Sequence, residues 1–133
     1  MSIIVEEIVI NLFISYVGYG GNTGEGKYFF AYTPEFVPIK TENTPMRFII
    51  DESCRQRFAI YDYACCDPTR QMVDIKLSAD YFELTMINRC NELHQLILFS
   101  ILVTDKAAES GLVIINCDPQ VTNVIPPTNL ISN

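Results

Sequence analysis

Nowhere in this chain do apolar residues keep a helical period for the roughly ten residues a helix needs; they come in short runs broken by Gly, Pro, Asn and Asp. A chain so written can bury its side chains only by pairing strands. The runs are rich in Ile, Val, Phe and Tyr, which fit a pleated, half-buried surface better than a helix. Roughly eight such runs with regular turn signals between them predict an all-β fold, an antiparallel β-sandwich. At 133 residues it reads as a single domain over residues 1–133. A chain of this size buries roughly 68% of its unfolded surface, so neither disulfide nor metal is required to hold it.

In order, residues 3–17 predict a long first strand, and Lys27–Tyr32 a second that closes a hairpin. Between them Gly18–Gly26 holds five glycines in nine residues, a mobile loop. That loop contains the spacing of a phosphate-binding motif, Gly21 to Gly26–Lys27. Tyr28 stands where a magnesium-binding hydroxyl belongs, and an aromatic strand follows instead of a helix, which favours a hairpin loop over a nucleotide site. Pro34, Pro38 and Pro45 allow the Phe36–Ile39 segment only as an edge strand or an extended connection. Further strands are expected at Arg47–Asp51, Arg57–Tyr63, Met72–Leu77, Tyr81–Ile87 and His94–Thr104, with turns at Pro68 and at Asn88–Glu92. His94–Thr104 is apolar on both faces, which marks a central, covered strand or an oligomer contact. Asp105–Ser110 then reads as a connection and Gly111–Cys117 as the final strand, with Leu112, Ile114, Asn116 and Asp118 on one side.

Charge and cysteines narrow the function classes. A net charge of -7, with nine scattered Lys and Arg, disfavours nucleic acid and anionic membrane. No apolar run reaches membrane-spanning length, and the apolar N-terminus carries Glu6 and Glu7 where a signal peptide would be basic, so the expectation is a soluble cytoplasmic protein. Five cysteines without a C-x-x-C pair read as structural thiols, since adjacent Cys65 and Cys66 on a strand point to opposite faces. No cofactor or metal site is expected. The one histidine, His94, has no nucleophile placed beside it by any motif.

The residues that could carry chemistry are Asp118 and Pro119. An Asp-Pro bond is weak because the aspartate carboxylate can attack its own carbonyl carbon while the tertiary proline nitrogen takes a proton and leaves. A fold that enforces the geometry would raise the effective molarity of such a nucleophile enormously. Leaving-group protonation, or activation of water in an alternative route, needs a second carboxylate, and Asp105 and Glu109 are the nearest along the chain. The anhydride product would be open to water or to an amine, for which Lys106 is the candidate, leaving a Lys-Asp cross-link. A second Asp-Pro pair, Asp67–Pro68, reads as a turn.

The segment Asn116-Cys-Asp-Pro-Gln-Val-Thr-Asn, following an apolar strand pair and running into Pro126–Pro127, resembles the DP-EP family of small bacterial proteins. The resemblance implies a β-sandwich of similar length that cleaves itself once, at the bond matching Asp118–Pro119, with residues 119–133 as the cut segment, released or kept. It also implies that a cross-linking lysine would lie on the strand before the last. His94–Thr104 carries none, so Lys106 would have to serve. The alternative is a non-catalytic binding or assembly module, its apolar faces forming a homo-oligomer.

Overall fold

The structure, a computed structural model, describes residues 6–66, 70–91, 98–109 and 111–123. His94, Pro68 and Pro126–Pro127, with the readings that rest on them, lie outside these residues. The protein is all-β: ten strands and one 3-10 turn, with no α-helix among the described residues. No helix there is long and apolar enough to cross a membrane. The strands are β1 (Ile8–Tyr16), β2 (Tyr28–Thr33), β3 (Phe36–Ile39), β4 (Thr44–Ile50), β5 (Phe58–Cys66), β6 (Met72–Leu77), β7 (Glu83–Asn88), β8 (Leu98–Asp105), β9 (Ile114–Cys117) and β10 (Gln120–Asn123). They form a five-stranded sheet in the order β2-β1-β4-β7-β6, a three-stranded sheet β5-β8-β9, and a pair β10-β3.

The expected antiparallel pairing holds for most neighbours, but β1 pairs with β4 and β10 with β3 in parallel. Side-chain alternation sets which face a residue occupies and is blind to strand direction, so these two pairings could not be read from the chain. Nor is Gly111–Cys117 the last strand. Only Ile114–Cys117 is paired there, and β10 follows at once. Asp105 and Asn88, expected in connections, end β8 and β7 instead.

Alternation builds the core. Ile10, Leu12 and Ile14 of β1, Met46, Phe48 and Ile50 of β4 and Leu84 and Met86 of β7 point inward; so do Phe99, Ile101 and Val103 of β8 and Ile115 and Cys117 of β9. All belong to one cluster shared by the two larger sheets. Phe48 stacks on Phe99 across that interior, centroids 5.9 Å apart, and meets Tyr32 edge-on at 6.1 Å. Pro45 sits one residue ahead of the first β1–β4 pairing, at the strand mouth where proline is tolerated.

The glycine-rich loop is densely hydrogen-bonded. The carbonyl of Tyr28 accepts from the nitrogens of Asn22 and Thr23 at 2.9 and 3.2 Å, and the Tyr28 nitrogen donates back to Thr23 at 3.2 Å. The loop backbone folds so tightly against Tyr28 that a Cβ on Gly21 would overlap the Tyr28 carbonyl oxygen. Lys27 leads into β2, so this is a hairpin loop, as the aromatic run predicted.

At one end of the core four side-chain amides, those of Gln71, Asn88, Asn91 and Asn123, bond to one another. Asn88 and Asn123, both fully buried, exchange hydrogen bonds of 2.7 and 2.8 Å. Gln71 bonds Asn91 through both side-chain atoms at 2.8 and 2.9 Å and reaches Asn123 at 3.5 Å. The Cys90 nitrogen donates to Asn88. This network ties β10 to β7, and with Val121, also buried, it anchors the chain beyond Pro119.

Candidate functional site

β2 and β9 are edge strands of different sheets. Side chains of β2 and of the loop before it reach β9: the Tyr32 hydroxyl donates to the Cys117 carbonyl at 2.8 Å, and the Thr23 hydroxyl to the Asn116 carbonyl at 2.6 Å. A cleft opens at each end of this seam.

The smaller cleft, about 380 Å³, is lined by Asp118, Glu35, Asn22, Tyr32 and residues 29–31 of β2. Asp118 follows the last residue of β9, on the outward side with Ile114 and Asn116, as alternation required. It is exposed, and its Oδ1 accepts from the Ser100 hydroxyl at 2.6 Å on the neighbouring strand. Pro119 is buried. The chain therefore leaves one sheet and joins another through Asp118 and Pro119. Burial, then the charges of Cys117 and Asp118, raise the Tyr32 hydroxyl far above its ordinary value. Burial, then the Asp118 charge, push the Cys117 thiol up to about 12, which leaves it inert as a nucleophile.

Asp105, Lys106 and Glu109 are not brought to Asp118. β8 and β9 run antiparallel with Ile101 opposite Cys117, so Asp118 faces Ser100 while Asp105 lies at the far end of β8. Five residue steps along β8 separate the two positions, about 17 Å. Lys106 turns elsewhere: its Nζ donates to the Arg55 carbonyl at 2.8 Å and lies 5.3 Å from the Phe82 ring centre. The carboxylate that does share a cleft with Asp118 is Glu35, in the proline-punctuated segment, where no local pattern distinguished it.

The larger cleft, about 770 Å³, takes in Asp105 and Glu109 together with Arg57, Lys27 and Tyr16. Asp105, its side chain fully buried, accepts from Arg57 Nε and Nη2 at 2.8 and 2.9 Å, from the Tyr28 hydroxyl at 2.6 Å and from the Ala107 nitrogen at 3.0 Å. Burial alone would raise its pKa, but the hydrogen bonds of Arg57, Tyr28 and Ala107 and the Arg57 charge together hold it below the usual value. The Tyr28 hydroxyl is pushed up to about 12 by burial and by its bond to that carboxylate. Arg57 lies 4.9 Å from the Tyr16 ring centre. Arg57 escaped the sequence reading, where it was only the first residue of a strand. The signal that points to it is Asp105, an acid closing an apolar strand and so in need of a cation.

No three His, Cys, Asp or Glu side chains gather as metal ligands among the described residues. No family model and no curated protein matches this chain.

Proposed function

We propose that the protein is a self-processing β-sandwich that cuts its own Asp118–Pro119 bond once. The observation that carries this reading is the junction itself: an exposed Asp118 carboxylate held by Ser100, a buried proline as leaving group, and a second carboxylate, Glu35, on the same small cleft. The likeness of Asn116–Asn123 to the DP-EP family points the same way. In this scheme an Asp118 side-chain oxygen attacks the Asp118 carbonyl carbon, the bond to Pro119 breaks, and Glu35 supplies the proton that the proline nitrogen takes away. Water then opens the anhydride and restores two carboxylates on Asp118. Strand β10 would stay seated through Val121 and the Asn88–Asn123 pair, so the cut protein keeps its shape as two chains.

Mass spectrometry tests this under denaturing and native conditions after mild acidification. Fragments 1–118 and 119–133 on denaturation, with the full mass plus one water under native conditions, are expected. Asp118→Asn should abolish them and Glu35→Gln should slow their appearance. A single full-length mass that persists for days refutes the reading.

A second reading, an assembly module, is favoured by the outer face of β1 and β2, where Val9, Phe13 and Phe29 are 45%, 40% and 43% exposed on one side. Analytical ultracentrifugation at micromolar concentration should then show a dimer or larger species that Phe13→Lys dissolves; a monomer refutes it.

A further inference from the structure

We propose that the larger cleft binds a zwitterionic ligand of the amino-acid or short-peptide class with an apolar side chain, independently of any cleavage at Asp118. The site is built around Arg57. Two of its nitrogens are fixed by buried Asp105, and the Tyr16 ring lies against its plane, so the guanidinium is held rigid before any ligand arrives. Nη1 makes no hydrogen bond to the described residues and remains a donor pair for a carboxylate. Lys27 lines the same cleft.

The rest of the wall decides the ligand. Asp105 already matches the Arg57 charge, and Glu25 and Glu109 leave the cleft with a surplus of negative charge in a protein of net charge -7. A phosphate or a dicarboxylate would meet that surplus as repulsion, whereas a ligand carrying one carboxylate and one ammonium finds a partner for each. Leu112 and Ile114, 65% and 40% exposed, supply an apolar wall beside these charges. A volume of about 770 Å³ exceeds what a single amino acid fills and suits two or three residues.

The dipeptide leucylphenylalanine is the probe, titrated at millimolar concentration and followed by amide and Arg57 Nε chemical shifts. Binding should move Arg57, Lys27 and Leu112. Acetylating its amine or amidating its carboxylate should each weaken binding about tenfold or more, the worth of one charge-assisted hydrogen bond. Exposed Glu25 and Glu109, changed together to Gln, should erase the penalty of acetylation while leaving that of amidation. No shift at these residues overturns the proposal. So does an acetylated or amidated dipeptide that binds the native protein as tightly as the free one.

Discussion

Gly21→Ala should destabilise this protein more than any other single change in its glycine loop. A Cβ there would overlap the Tyr28 carbonyl oxygen and lie 2.9 Å from the Tyr28 nitrogen, so loop and strand must part. Three backbone hydrogen bonds span that contact: Asn22 and Thr23 to the Tyr28 carbonyl, and Tyr28 to the Thr23 carbonyl. At about 1 kcal/mol each, their loss costs about 3 kcal/mol. For a chain of this length that is a fall in Tm of about 12 °C, at about 4 °C per kcal/mol. The matched control is Gly20→Ala. Its φ is 76°, and nothing lies within 4 Å of the added methyl, so only the left-handed backbone penalty of about 1 to 2 kcal/mol applies. Thermal and urea unfolding of both variants by circular dichroism would measure the difference. If Gly21→Ala is no less stable than Gly20→Ala, the close approach is not what glycine serves there.

Removing both members of the buried amide pair should cost less than the sum of removing each alone. Asn88→Ala or Asn123→Ala leaves its partner's amide unsatisfied, at about 2 to 3 kcal/mol, and the double variant should recover part of the summed loss in a urea-unfolding cycle. Phe48→Ala, which empties the contact between the larger sheets, should lose about 3 to 5 kcal/mol. Stability should depend on pH at both extremes. Because the folded pKa of Asp105 is depressed, its contribution is present above the unfolded value near 3.9 and is lost as pH falls through the folded value. Asp105→Asn should flatten that acid limb. Tyr28 is shifted upward, so its contribution holds below its unfolded value and fades as pH rises towards about 12; Tyr28→Phe should remove that alkaline dependence.

Where a strand carried its own alternation the chain announced it. Met72–Leu77 is found with the predicted ends, and the facing of Ile114 to Cys117 is as alternation required. β10 was invisible because Gln120–Asn123 is mostly polar and follows a proline; it is a strand only by virtue of β3, its distant partner. The site was legible to the same degree. Asp118 could be placed at a strand end, but helpers chosen by nearness along the chain landed at the wrong end of a hairpin. In an antiparallel pair, residues close to the connection in sequence lie far from the open end in space. Glu35 and Arg57 come to their clefts from other sheets or other edges, which is information held in topology.

The parallel pairing of β10 with β3 joins positions some eighty residues apart, and closing a loop of that length is slow relative to forming the β1–β2 hairpin. Val37 and Ile39, covered once β10 arrives, lie on a strand whose one pairing among the described residues is with β10, so until then its backbone groups have no strand partner. During that interval like copies could add to one another's edges, and the surplus of acidic groups becomes a kinetic safeguard, keeping nascent molecules apart until each chain supplies its own closing strand.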